Sequence, residues 1–193
     1  MIRNALRALI ATVVLAVLTG LIYPLAMTGF AQIVFKGKAD GSLVKVGGST
    51  VGSSLIGQQW EGPEWFYGRP SAVDDDASTS SGSNLGPRSQ ALADAIRARV
   101  DAIVKLEGPY HPGLTAAGIP VDLLTASASG LDPDISPAAA MFQAARIAAV
   151  LNLPLTQVQA LIGQHTAGRT WALFGEPRVN VFELNLALQD LAG

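Results

Sequence analysis

The sequence predicts one N-terminal transmembrane helix followed by a single α+β soluble domain. Three observations carry this. No charge occurs between Arg7 and Lys36, and Leu9 to Phe35 is dominated by Leu, Ile, Val, Ala, Met and Phe, whereas about 20 apolar residues suffice to cross a ~30 Å hydrocarbon core. Behind that run, helical periodicities alternate with short β-type segments but form no repeating βα unit, which argues for α+β over a doubly wound sheet. The whole chain of 193 residues is 49% hydrophobic and 15% charged, with a mean hydropathy of +0.35. That value is high for a soluble domain and low for a multi-span membrane protein.

Residues 1–7 form a short tail, 8–35 the transmembrane helix, 36–48 a juxtamembrane connector and 49–193 the soluble domain. A cleavable signal peptide is the rival reading of the apolar run, with Arg3 and Arg7 as its basic region and Gly29-Phe30-Ala31 as a loose cleavage site. A signal core spans only about 7–15 residues, so the length favours an uncleaved anchor. Pro24 is compatible with a membrane helix, which can re-satisfy the carbonyl that proline frees. Arg3 and Arg7 on one side nearly balance Lys36 and Lys38 on the other. The very short tail ahead of the apolar run places the soluble domain outside the cytoplasm, on a single-pass cell-membrane anchor.

Within the connector, Leu43 to Val46 reads as a strand. Thr50 to Trp60, rich in β-type residues, glycine and serine, also reads as a strand, followed by the turn-rich aromatic segment Glu61 to Pro70. Trp60, Trp65, Phe66 and Tyr67 there are expected in the core. Ser71 to Arg88, composed of Ser, Asp, Gly, Asn and Pro, is a long loop. Leu92, Ile96, Val100 and Ile103 recur at helical spacing, giving an amphipathic helix from Ser89 to Glu107 that ends at Gly108-Pro109. Pro120 to Leu124 reads as a short strand. Ser136-Pro137 starts a helix running to about Leu151, and Thr156 begins another that stops near Gly168. Asn180 and Glu183 fit a capping box opening a final helix toward Leu191.

Charge narrows the partners. All 15 acidic residues but only nine of the 13 Lys and Arg lie from Asp40 onward, a net charge of −6, which excludes nucleic acid as a partner. The chain has no cysteine, hence no disulfide or thiolate metal site.

Recognisable catalytic patterns fail one by one. Gly37-Lys38 lacks the upstream glycine and the following Ser or Thr of a phosphate-binding loop, Asp-Lys-Thr-Gly is absent, and the run from Gly47 to Gly52 has serine where a dinucleotide fingerprint needs its second glycine. His111 and His165 have no partner at ligand spacing, so no metal site is expected. Ser127, Ser129, Asp132 and His165 make a triad only on paper, because no Gly-x-Ser-x-Gly elbow holds either serine. Asp74 to Asp76 reads as solvated surface. Gln143 and Arg146, three residues apart, share one face of their helix. An amide beside a guanidinium can hold a phosphate, a base edge or a carboxylate, or can dock the helix onto the rest of the domain, and docking is the simpler reading.

Several segments together resemble one family, the C subunit of the bacterial Kdp potassium-transporting P-type ATPase. They are Val51-Gly-Ser-Ser-Leu-Ile-Gly-Gln58, Gly68-Arg-Pro-Ser-Ala72, Ser81-Gly-Ser-Asn-Leu-Gly-Pro87, Thr125-Ala-Ser-Ala-Ser-Gly-Leu-Asp-Pro133 with Ile135-Ser-Pro137, Gln143-x-x-Arg146, and Gly175-Glu-Pro-Arg-Val-Asn-Val181 with Glu183-Leu-Asn185. The motif residues are Gly57, Gln58, Arg69, Pro70, Ser71, Ser83, Asn84, Gly86, Pro87, Ser129, Gly130, Leu131, Asp132, Pro133, Asn180 and Asn185.

The resemblance implies a non-catalytic, single-span subunit of a high-affinity ATP-driven potassium uptake complex. Its partners would be a channel-like potassium-translocating subunit, a P-type ATP-hydrolysing subunit and a small single-helix subunit, with lipid around the anchor. It further implies a catalytic chaperone that raises the ATP affinity of the hydrolysing subunit, with ATP shared between the two and Gln143 and Arg146 at the positions touching nucleotide. A competing view of the family sets the domain outside, over the entrance of the translocating subunit, where no ATP is available. The alternative to a pump subunit is a free-standing, membrane-anchored extracytoplasmic binding protein or hydrolase.

Overall fold

In the computed structural model, which describes residues 1–192, the chain divides into two compact units, residues 1–53 and 54–193. The first unit is built on one helical run. Helix α1 (Ile2–Val17) passes through a π-helical turn at Leu18–Ile22 into α2 (Tyr23–Val34). The wide turn sits immediately before Pro24, where a ring without an N–H disrupts the ordinary ladder. Thr19 Oγ donates to Leu15 O at 2.8 Å beside it. The run Ile2–Val34 contains an 18-residue stretch of mean hydropathy 2.3, none of it buried, and is long and apolar enough to cross a membrane. At 1.5 Å per residue it is about 50 Å long, more than a bilayer core requires. The helix begins at Ile2 and so takes in Arg3 and Arg7.

A four-residue turn of helix, α3 (Lys36–Ala39), leads to an antiparallel hairpin of β1 (Leu43–Val46) and β2 (Ser49–Ser53). Gly47 and Gly48 both have positive φ (57° and 84°), the conformation that a two-residue hairpin turn demands and glycine adopts freely. Strand β2 ends at Ser53 rather than continuing to Trp60, because Gly57 N–H donates to Leu131 O in the second unit (3.0 Å) instead of extending the hairpin ladder.

The second unit packs α4 (Gln90–Glu107), α5 (Pro137–Val150), α6 (Leu155–Gln164) and α7 (Val181–Ala192) around a small antiparallel sheet. Its strands are β3 (Asp134–Ile135), β4 (Thr166–Ala167) and β5 (Arg178–Asn180), in the order β3-β5-β4. Helix and sheet elements together make this an α+β unit. Helix α5 is its centre: Ala139, Ala140, Ala144, Ile147 and Ala148 are buried, and small side chains on one face let α6 lie close along it. Phe66, Ile135, Val158, Ile162, Val179, Leu184 and Leu188 complete the core.

Local chemistry sets the helix ends. Ser136 Oγ accepts from Ala139 N at 3.0 Å and Pro137 occupies the first turn, an N-terminal cap of the kind the sequence announces. Asn180 Oδ1 accepts from Glu183 N at 3.0 Å at the start of α7, and Asn180 Nδ2 donates to Ser54 O at 2.8 Å.

Two further elements depart from the sequence reading. Residues 120–124 hold a 3-10 turn at Val121–Leu123, not a strand. Their backbone closes on itself instead of joining the sheet: Pro120 O and Val121 O accept locally from Leu123 N and Leu124 N, and the link to the end of β3 is made by the Asp122 side chain, which accepts from Ser136 N at 2.7 Å. Helix α6 stops at Gln164 rather than near Gly168, because Thr166 and Ala167 pair with Val179 and Arg178. The loop of residues 71–88 has no regular structure.

Candidate functional site

The aromatic segment Pro63–Tyr67 has no ladder of its own, so its backbone groups need partners from elsewhere. Buried side chains supply them. Asn185 on α7 accepts from Phe66 N and donates to Phe66 O, both at 2.9 Å. Gln143 on α5 accepts from Tyr67 N at 2.8 Å and donates to Tyr67 O at 3.0 Å. The second Gln143 donor reaches Ala139 O at 3.3 Å, and its oxygen also accepts from Arg146 Nη2 at 3.0 Å. Every hydrogen-bonding position of this amide is occupied.

One turn along α5, Arg146 is 0% exposed. Its Nε donates to Glu107 Oε1 at 2.8 Å, Nη1 donates to Trp65 O at 3.0 Å and to Pro63 O, and the guanidinium lies 5.3 Å from the centre of the Tyr67 ring. Glu107, the last residue of α4, is buried too. Burial pushes its carboxyl above the usual carboxylate range, against the opposing charges of Arg146 and then His111. His111 stacks on Phe142 at 4.7 Å, has Nε2 2.8 Å from Phe142 O, and stands 3.9 Å from Glu107 Oε2. This hub therefore joins α4, α5 and the Pro63–Tyr67 segment. In this arrangement Gln143 is saturated, and Arg146 is sealed from solvent with four N–H groups directed at protein oxygens.

The other motif residues interlock on the far side of Tyr67. Arg69 Nη1 pairs with Asp132 at 3.1 Å, and Asp132 Oδ1 accepts from Asp134 N at 3.1 Å. Ser71 Oγ donates to Gly130 O at 2.6 Å while accepting from Val73 N and Asp75 N. Pro70 O accepts from Ser127 N (3.0 Å), Ser127 Oγ from Gly130 N (2.9 Å) and Ser129 Oγ from Leu131 N (3.1 Å).

Gly130 has φ +71°, and a Cβ there would fall 2.6 Å from Ser81 O and from Val73 Cγ2, so only glycine fits. A cleft of about 280 Å³ remains between these segments, lined by Gly57, Gln58, Arg69, Pro70, Asp132 and Pro133 together with aromatic and acidic neighbours. Burial also raises the Asp75 carboxyl beside it, with Asp74 adding to the effect. On the other side of Tyr67 an almost wholly apolar groove of about 260 Å³ opens between α4 and α5.

The structure thus gathers Gly57, Gln58, Arg69–Ser71 and Ser129–Pro133 in one place and Gln143, Arg146 and Asn185 in another. Ser83, Asn84, Gly86 and Pro87 stay exposed on the way to α4. The paper triad is not assembled: Asp132 is engaged with Arg69, and His165 Nδ1 lies 2.9 Å from Leu161 O. Sequence reasoning missed Glu107, which falls on the apolar stripe of its helix, and the exposed Trp171, Leu173 and Phe174.

Comparison with known proteins matches the family described as K+-transporting ATPase, c chain, over residues 5–190. The chain is 56% identical to the potassium-transporting ATPase KdpC subunit of Variovorax paradoxus (strain S110) over 98% of its own length and 97% of the relative's. It is 53% identical to that of Herpetosiphon aurantiacus, covering 95% and 94%, and 48% identical to that of Methylobacterium nodulans over the full length of both. The family match begins inside the N-terminal helix and ends inside α7, taking in both units of the fold, and on that evidence the chain belongs to the KdpC family, the c chain of the K+-transporting ATPase.

Proposed function

We propose that the chain is a non-catalytic, membrane-anchored subunit of an ATP-driven potassium-transporting complex. The observation that carries this reading is the near-complete family match, anchor helix included. The channel-like translocating subunit, the P-type ATP-hydrolysing subunit and the small single-helix subunit are its partners. In this reading the soluble unit lies outside the cytoplasm, behind a single membrane span.

In this reading Gln143, Arg146 and Asn185 are scaffolding. They clamp Pro63–Tyr67 so that the Arg69–Ser71 and Ser129–Pro133 segments keep one shape for a partner. The chaperone effect on ATP affinity then works through assembly with the hydrolysing subunit, not through nucleotide held by Arg146. Supporting this is the saturation of Gln143 and the enclosure of Arg146 by protein oxygens. The test is affinity purification of the tagged full chain in mild detergent from cells grown at limiting potassium. Co-purification of the two large membrane subunits, with potassium-stimulated ATP hydrolysis lost when this chain is deleted, is the expected result. Recovery of the chain alone would favour the free-standing alternative.

A further inference from the structure

Between β4 and β5 the chain makes a tight turn whose tip is apolar. Trp171 is 83% exposed, Leu173 76% and Phe174 61%. Such a run on a folded surface is exceptional, because single exposed apolar residues are common but adjacent large ones mark a contact site. The turn is well built at its base. Thr170 and Phe174 exchange both backbone hydrogen bonds (2.8 and 3.0 Å), and Arg169 Nη2 grips both oxygens of Glu176 at 2.7 Å.

At its apex Trp171 and Ala172 both have positive φ (53° and 60°). These are positions where Asn and Gly are at ease and a large side chain is strained. Strain of this kind persists where function holds it, and here it projects an indole outward with its ring edge-on to Phe174 at 6.1 Å.

We propose that this tip is a bilayer contact, with Trp171, Leu173 and Phe174 seated in the headgroup and upper acyl region of the membrane that holds the anchor. Trp, Phe and Leu are the side chains that partition into that layer, and the Arg169–Glu176 pair leaves the base without net charge. Size decides between a lipid and a protein occupant. Three side chains offer about 500 Å², less than the roughly 800 Å² per partner of a stable protein interface, and the tip is convex.

A tethered domain needs no larger patch, since the anchor supplies a high effective concentration at the membrane. Only about 20 residues separate the end of the span at Val34 from the second unit at Ser54, and α3 and the β1–β2 hairpin shorten that link further, so the second unit, with a radius of gyration of about 14 Å, cannot leave the neighbourhood of the bilayer. This inference rests on the span alone and holds whether or not the chain works in a pump.

The test uses the full chain in nanodiscs containing lipids with a nitroxide on the upper acyl chain, comparing wild type with Trp171→Phe to isolate this indole from Trp60 and Trp65. The expected result is a blue-shifted Trp171 emission that the nitroxide lipid quenches, with the quenching weakened by Leu173→Ser while far-UV circular dichroism is unchanged. Emission at the water-exposed wavelength, open to aqueous iodide and untouched by nitroxide lipid, would overturn the proposal. So would shielding that appears only when the large membrane subunits or a second copy of the chain are present and that nitroxide lipid does not quench, which would make the tip a protein contact.

Discussion

Gln143 and Asn185, on different helices, hold adjacent residues of the same backbone in the same way. Each side-chain amide exchanges two hydrogen bonds with one residue, Gln143 with Tyr67 and Asn185 with Phe66. Two buried amides thereby supply what a neighbouring strand would have supplied, and an irregular segment becomes a fixed element.

Removing either amide should destabilise the domain substantially. Gln143→Ala or Asn185→Ala strands a buried N–H and C=O, at about 1–3 kcal/mol for each unsatisfied group. Because the two grips are adjacent, the double variant should cost less than the sum of the singles. Thermal unfolding of the full chain in detergent checks both; additive losses would show that the grips act independently.

Glu107 gives a prediction whose sign depends on pH. Its carboxyl is raised chiefly by burial, so the folded chain keeps that proton to higher pH than the unfolded chain does. Between the ordinary Glu value of about 4.5 and the raised one the folded state binds more protons, and stability falls as pH rises. Gln cannot titrate. Wild type should therefore lose stability relative to Glu107→Gln as pH is raised from about 4 to 7, whereas Glu107→Ala, which strands Arg146, should cost about 3–5 kcal/mol. Melting temperatures across this pH range decide it. A wild type that gains on Glu107→Gln with rising pH would mean the ion pair outweighs burial.

Glycine substitutions separate shape from flexibility. Gly130→Ala forces a Cβ into left-handed backbone and against Ser81 O and Val73, at a cost of about 2–5 kcal/mol. Gly163, exposed within α6 and with nothing within 4 Å of its missing Cβ, is the control. Gly163→Ala should stabilise by about 0.5–1 kcal/mol. Denaturant midpoints compare the two directly.

The fold was legible where local signals and tertiary packing agree. Ser136-Pro137, Asn180 and the stripe from Leu92 to Ile103 each announce an element through backbone chemistry that needs no distant partner. Residues 120–124 misled because a short apolar run becomes a strand only when its backbone joins a ladder, and here the backbone closes locally in a 3-10 turn while only the Asp122 side chain reaches the end of β3. Glu107 was overlooked although its spacing from Val100 and Ile103 puts a carboxylate on an apolar face. Its partner lies 39 residues away on α5, and sequence spacing within one helix cannot supply that pairing. Gln143 and Arg146 could be singled out as a pair, but three of the oxygens they bind are backbone groups of Pro63, Trp65 and Tyr67, which carry no sequence signature. The strained tip at Trp171 was invisible for a related reason, since nothing in the residue types there calls for a left-handed turn.

The most direct test of the account is Arg146→Lys, read out twice on the same preparation of the assembled complex. Lysine keeps the charge but not the fork that reaches Glu107, Pro63, Trp65 and Gln143 together. If Arg146 is scaffolding, the domain's melting temperature should drop by several degrees, matching a loss of about 1–3 kcal/mol, while intact complexes keep the wild-type Michaelis constant for ATP. An unchanged melting temperature with a raised Michaelis constant for ATP would contradict the account and assign Arg146 to the nucleotide.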